Sequence, residues 1–271
     1  MNVLLVASLL SLGYTSMREY SVRRYLKGFS DAIVPRTASP EAKVEAILTW
    51  MRSGPARPIA AHPNELGPRD PENTLNYQQL LAVCGTATNA FLNLARSTGL
   101  DARRLLLLTP ERTAKHVVSE VLIDGRWIVV DATYRVILRD AQSRMLTRKD
   151  LQNPEILAEA TGKIPNYLPI YDYKSFAHVR VARLPMDGLG LRRMLQTVYP
   201  GWEEAADWSL LLERESFFYF FISAVLSILF LGARIILAWY ADHHLRVSRF
   251  RVRHQVARAS ATFFSAPELE E

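Results

Sequence analysis

The chain has 271 residues, of which 49% are hydrophobic and 22% are charged, so it is long enough for one or two folded domains. Its net charge of +6 does not indicate nucleic-acid binding, because the clearest basic run directly follows a long apolar segment and no groove-binding motif accompanies it. A single cysteine, Cys84, excludes an internal disulfide and leaves either a buried, inert thiol or a reactive one.

The N-terminal segment, residues 1–30, opens with an apolar run over residues 3–12 that has the length of a signal-peptide core. No Lys or Arg precedes this run, and no clear small-residue cleavage site follows it. Three interpretations therefore stay open: an export signal, an uncleaved membrane anchor, or the buried start of a first helix.

Residues 31–140 contain the signals of a folded core. Residues 39–51 predict a helix, with Ser39 as N-cap and Pro40 at the first helical position. Residues 54–76, rich in Pro, Asn and charge, predict a long loop. Residues 80–97 then predict a second helix that contains Cys84 and precedes a glycine.

Three apolar runs follow and predict strands, over residues 103–109, 115–123 and 126–133. Asp124 and Gly125 separate the last two runs, and this dipeptide is among the strongest short signals for a β-hairpin. We therefore expect the last two strands to be adjacent and antiparallel.

The hairpin register determines which side chains share a face. If Asp124 and Gly125 are the loop residues, His116 and Asp131 become diagonal neighbours on one face, about 7–8 Å apart at the backbone. A carboxylate there can accept a hydrogen bond from one ring nitrogen and leave the other for a thiol. A slip of one residue would put the two side chains on opposite faces.

Cys84 lies at the start of a helical pattern, where the helix dipole and unpaired N–H groups favour a thiolate. With His116 as acid and base and Asp131 as orienting group, the three residues form a candidate catalytic triad. The Cys84 N–H and the side chain of Gln78 or Gln79 are candidate oxyanion donors. Taken singly, each triad residue also has an ordinary structural explanation.

One cysteine and scattered histidines lack metal-ligand spacing, so we expect neither a metal nor another cofactor.

This pattern resembles the transglutaminase-like superfamily, a papain-like group, over roughly residues 40–135. The matching features are a cysteine helix, a Gly-x-x-Ala-Arg turn, a histidine strand ending in Val-Ser-Glu, and a Trp-x-x-x-Asp-x-Thr strand, carried by Cys84, Gly99, Ala102, Arg103, His116, Glu120, Trp127, Asp131 and Thr133.

The resemblance implies an α+β fold in which the cysteine helix packs on an antiparallel sheet. It also implies Cys84 as nucleophile, His116 as base and acid, Asp131 as orienting residue, and acyl transfer from amides. Members include cross-linking enzymes, proteases, deglycosylating amidases and inactive scaffolds. This chain departs from many members at the residues flanking the cysteine, Val83 and Gly85, where those members have glycine and a bulky residue.

Residues 141–216 form a C-terminal extension of the soluble part, and its role is open. Within it, residues 147–150 resemble a capping box, residues 177–184 alternate like a strand, and residues 191–198 predict a helix.

Residues 217–240 are apolar with one charge, Arg234, and carry aromatic residues at both ends, which predicts a transmembrane helix. Lys and Arg number one in the 20 residues before this segment and five in the 20 after it. The positive-inside rule therefore predicts a cytoplasmic tail, residues 241–271, and an extracytoplasmic soluble domain. The alternative is a tail-anchored cytoplasmic domain.

Together these features predict an inner-membrane cysteine enzyme of the bacterial cell envelope, a protease, amidase or acyltransferase acting on protein or peptide amides. The alternative is a catalytically inactive scaffold that docks an envelope or polysaccharide-assembly partner. The Arg-rich tail is expected to lie against anionic lipid headgroups.

Overall fold

The structure is a computed structural model that describes residues 1–53, 75, 83–109, 113–167, 171, 173–178, 191–200, 202, 211 and 214–244. Its helices there are α1 (Asn2–Ile33), α2 (Pro40–Ser53), α3 (Cys84–Ser97), α4 (Pro154–Thr161), α5 (Leu191–Val198) and α6 (Glu215–His243). Its strands are β1 (Ala102–Leu108), β2 (Ala114–Ile123), β3 (Arg126–Asp131), β4 (Val136–Ile137) and β5 (Phe176–Ala177).

The strands form one antiparallel sheet in the order β4-β3-β2-β1-β5. Alternate residues of β3 contribute to two different apolar clusters, because side chains along a strand point to opposite faces. Ile128 and Val130 pack with α1, α2 and α3, whereas Val129 packs with Leu138, Leu151 and other residues of the later segment. The sheet is therefore covered on both faces, as expected for the α+β fold.

The hairpin between β2 and β3 has the predicted register. Ile123 pairs with Arg126 and Ser119 pairs with Val130, and the two turn residues, Asp124 and Gly125, have φ of 49° and 74°. Positive φ at both positions is the type I′ geometry that favours Asp-Gly. The third strand ends at Asp131, two residues before the predicted end, because the following N–H groups turn back toward the Asp131 side chain instead of pairing.

Other predicted elements agree closely with the structure. The first core helix begins at Pro40, and Ser39 Oγ accepts a hydrogen bond from the Ala42 N–H at 3.3 Å. The helix over residues 191–198 is present. Thr147 and Asp150 exchange capping hydrogen bonds, but these open a 3-10 turn, Asp150–Gln152, rather than α4.

Some predictions fall on other parts of the chain. The strand over residues 177–184 is described only at its start, where β5 pairs with β1, and residues 179–184 lie outside the described residues. The predicted loop over residues 54–76 also lies outside them, apart from Leu75.

The chain divides into two compact units, residues 12–222 and residues 1–11 with 223–271. In the second unit the start of α1 contacts α6 through polar side chains. Ser11 Oγ lies 2.9 Å from Ser223 Oγ, and Arg234 donates a hydrogen bond to Asn2 Oδ1 at 2.6 Å. The N-terminal apolar run is thus the beginning of a continuous helix that continues to Ile33.

Helix α6 contains a segment, Glu215–Ala241, that is long and apolar enough to cross a membrane, with a mean hydropathy of 2.4. Its 27 residues extend about 40 Å as a helix, more than the hydrocarbon thickness of a bilayer. Only 11% of its most apolar window is buried, whereas the core helix of a soluble protein is mostly buried. Among the described residues it is the one helix that meets these criteria.

Candidate active site

Local capping and one buried hydrogen bond place Cys84 beside β2. Val83 is extended, and Thr86 Oγ1 donates to its carbonyl at 2.9 Å, so the helix begins at Cys84. Four residues into α3, Thr88 Oγ1 donates to the Val117 carbonyl at 2.9 Å. This bond fixes the helix against the strand residue that follows His116.

His116 and Asp131 form a buried hydrogen bond across the hairpin. His116 Nε2 lies 2.8 Å from Asp131 Oδ2, and the two side chains are 2% and 0% exposed. The other carboxylate oxygen, Oδ1, accepts from the N–H groups of Thr133 at 3.0 Å and Tyr134 at 3.2 Å. Both oxygens therefore have donors, and the remaining ring nitrogen of His116, Nδ1, is left for Cys84.

Tyrosines of the core and of the later segment lie around the imidazole, and the sequence analysis did not identify them. Tyr171 stacks on the His116 ring with centroids 4.2 Å apart and planes inclined by 5°. Tyr134 approaches the same ring edge-on at 6.1 Å. Tyr167 and Tyr173 share a hydrogen bond between their hydroxyl groups at 2.9 Å. The only sequence signal was a tyrosine-rich run at residues 167–173, in a segment without an assigned role.

The environment of Cys84 favours a thiolate. Burial raises the pKa of the thiol, but a hydrogen bond with His116, the charge of His116, and the N–H groups of Val117 and Gly85 together lower that pKa below its usual value. Cys84 itself remains partly exposed.

The environment of His116 favours the imidazolium. Burial lowers its pKa, but the hydrogen bond and charge of Asp131, together with Cys84, outweigh burial and raise the pKa to about 9. Both shifts favour a thiolate–imidazolium pair, which is the reactive form of a cysteine nucleophile.

The structure does not describe the predicted side-chain donors to an oxyanion. Gln78 and Gln79 lie outside the described residues. Within the described part of the chain, no group of three or more His, Cys, Asp or Glu side chains is arranged to hold a metal ion.

Comparison with known families agrees with the sequence pattern. The family model of the transglutaminase-like superfamily matches residues 27–132, a span that includes Cys84, His116 and Asp131. A search of curated proteins and a search of solved structures each found no significant match.

Replacing Asp131 by Asn tests whether the Asp131 carboxylate stabilises the imidazolium form of His116. Without the carboxylate, burial is no longer outweighed, so we expect the pKa of His116 to fall from about 9 toward or below its ordinary value of 6.5. NMR titration of histidine-labelled protein measures this directly. Asp140→Asn is the matched control, because it removes a carboxylate that pairs with Arg144 instead. A His116 pKa that stays near 9 in Asp131→Asn would contradict the assignment.

Proposed function

We propose that this chain, which carries a transglutaminase-like domain over residues 27–132, is a membrane-anchored cysteine enzyme acting on amide bonds of proteins or peptides at the cell envelope. The observation that carries the proposal is the hydrogen-bonded array of Cys84, His116 and Asp131. Burying an imidazolium is costly unless a nearby carboxylate and thiolate stabilise its charge. The raised pKa of His116 is the result of that stabilisation.

The reaction begins when the Cys84 thiolate attacks the carbonyl carbon of the amide. The C–N bond of the resulting tetrahedral intermediate then breaks, and His116 gives its proton to the departing amine. This leaves a thioester on Cys84 and a neutral imidazole. Neutral His116 next takes a proton from water or from an acceptor amine, which attacks the thioester, releases the acyl group and restores the thiolate.

Asp131 positions the imidazole throughout this cycle. Its bond to Nε2 fixes the ring so that Nδ1 faces the sulfur, and its charge stabilises the imidazolium between steps. Stacking of the ring on Tyr171 restrains it further and excludes water from that face.

The start of α3 offers both a donor and space for a substrate carbonyl. The first N–H groups of a helix have no intrahelical acceptor, so the Cys84 N–H is available to a developing oxyanion. Among the described residues, and apart from Gly85's own chain neighbours and helix backbone, no atom lies within 4 Å of a Cβ built at Gly85, so these residues leave space beside Cys84. In family members with a bulky residue here, that side chain would occupy the corresponding position.

α6 is the one described helix that meets the criteria for a membrane span, and its contacts with α1 support a second, shorter anchor beside it. The first 17 residues of the chain carry no charged side chain, and residues 1–11 contact α6 within their unit through two pairs of polar groups. Polar pairs of this type stabilise helix association in membranes. We infer that α1 is an uncleaved anchor beside α6, with both chain ends in the cytoplasm and the sheet outside it.

Acylation by p-nitrophenyl acetate tests the chemistry without knowledge of the natural substrate. The full-length protein should release a burst of about one p-nitrophenolate per chain and gain an acetyl group at Cys84 that mass spectrometry locates. Cys84→Ser should show neither, while Ser119→Ala, a buried hydroxyl on the same strand as His116, should retain both. A wild-type chain without a burst would favour the non-catalytic scaffold function.

Epitope tags at the two ends of the full chain test the anchor. Both tags should remain on the mature protein and resist protease added to spheroplasts, because both helix ends are expected to be cytoplasmic. Loss of the N-terminal tag from the mature protein would mean a cleaved signal. An N-terminal tag that is digested while the C-terminal tag is protected would exclude the two-helix arrangement.

A further inference from the structure

A second cavity lies away from the candidate active site, at the opposite end of α3. It has a volume of about 370 Å³ and is lined by α1, the last turns of α3 and the residue that precedes α6. Cys84 begins α3 and Ser97 ends it, so the two sites are separated by about 20 Å of helix. The proposed reaction uses none of the residues that line this cavity.

The lining is strongly cationic. Arg23, Lys27, Arg96 and Arg214 line the cavity together with the polar residues Asn93 and Ser97. Two carboxylates pair with these cations: Glu19 binds Arg23 and Arg214, and Asp31 binds Lys27. Arg23 and Arg214 share the single carboxylate of Glu19, so among the described residues this part of the lining carries an excess of positive charge, which raises the local concentration of anions.

Arg214 is held in place before any ligand arrives. Its side chain is 9% exposed and donates to Glu19 Oε1, while Ser216 Oγ donates to Glu19 Oε2 at 2.8 Å. The Arg214 Nε–H is buried and has no hydrogen-bond partner within the described part of the chain. Arg214 therefore retains donor capacity that Glu19 does not use, although burying a guanidinium ordinarily requires its donors to be satisfied.

The C-terminal end of α3 carries a partial negative charge that would repel an anion. This repulsion is weakened because carbonyl groups at that end already accept hydrogen bonds from side chains. Ser97 Oγ donates to the Leu94 carbonyl at 2.8 Å, and Thr98 Oγ1 donates to the Ala95 carbonyl at 2.7 Å. The Lys43 ammonium donates to the Thr98 carbonyl at 3.0 Å. The partial negative charge of the helix terminus is thus partly neutralised by these hydrogen-bond donors.

We propose that this cavity binds a phosphate-bearing anion, in the first place the headgroup of an anionic phospholipid. Arginine presents a planar pair of donors to phosphate oxygens, and lysine adds a point charge. A lipid is the favoured source because Arg214 directly precedes the membrane-length segment that starts at Glu215, where phosphate groups of a bilayer surface lie.

Calorimetry on the full-length chain in a neutral detergent tests this, with two probes: inorganic phosphate and short-chain phosphatidylglycerol bearing six-carbon acyl chains. The test variant is Arg23→Gln with Lys27→Gln, which removes two exposed cations from the lining. The matched control is Arg24→Gln with Arg36→Gln, which removes two exposed cations of α1 and its following turn that do not line the cavity.

We expect wild-type protein to bind one phosphatidylglycerol per chain. The test variant should weaken binding at least about tenfold, since charge-assisted hydrogen bonds are lost, whereas the control should weaken it less than about twofold. Lys27→Arg should bind like wild type, and unchanged alkylation of Cys84 reports that each variant is folded.

The two probes separate the sources of phosphate. Binding of phosphatidylglycerol alone, or of both probes with the same dependence on Arg23 and Lys27, supports the headgroup site. Binding of inorganic phosphate alone supports the anion site but assigns it to a soluble phosphate. Absence of binding by either probe, or equal weakening in the test and control variants, would overturn the proposal.

Discussion

The buried hydrogen bond between His116 and Asp131 is the interaction on which the candidate site depends. Burial alone favours the neutral imidazole, and a neutral imidazole would not supply the charge that helps to lower the pKa of Cys84. Asp131 remains a suitable acceptor because two backbone N–H groups bind its second oxygen. The carboxylate therefore acts on the sulfur indirectly, through the charge and orientation of the ring between them.

Backbone geometry brings Cys84, His116 and Asp131 together, and a small change in strand register would separate them. The Asp124–Gly125 turn fixes the register of β2 and β3, and a slip by one residue would put His116 and Asp131 on opposite faces. The end of β3 at Asp131 supplies the N–H donors for its side chain. Thr88 joins α3 to β2, so the position of Cys84 is tied to the same strand as His116.

The parts of this site predictable from sequence are those set by local chemistry: a two-residue turn, a period of two along strands, and the start of a helix at Cys84. The stack of Tyr171 on His116 was not predictable, because 55 residues separate them and no strand register links them. The cationic cavity was missed for a similar reason, since α1, α3 and Arg214 come together only in the tertiary fold. Gln78 and Gln79 stay predictions.

The most direct test of the account is the pH dependence of Cys84 alkylation by iodoacetamide in the full-length protein, with His116→Ala and His116→Gln as variants. The account predicts a thiolate that titrates below the ordinary value of about 8.5. Both variants should move that titration upward, because the imidazolium that stabilises the thiolate is lost. A thiol with an ordinary pKa in the wild type, unchanged by either replacement, would contradict the account. It would indicate that the fold serves as a catalytically inactive scaffold.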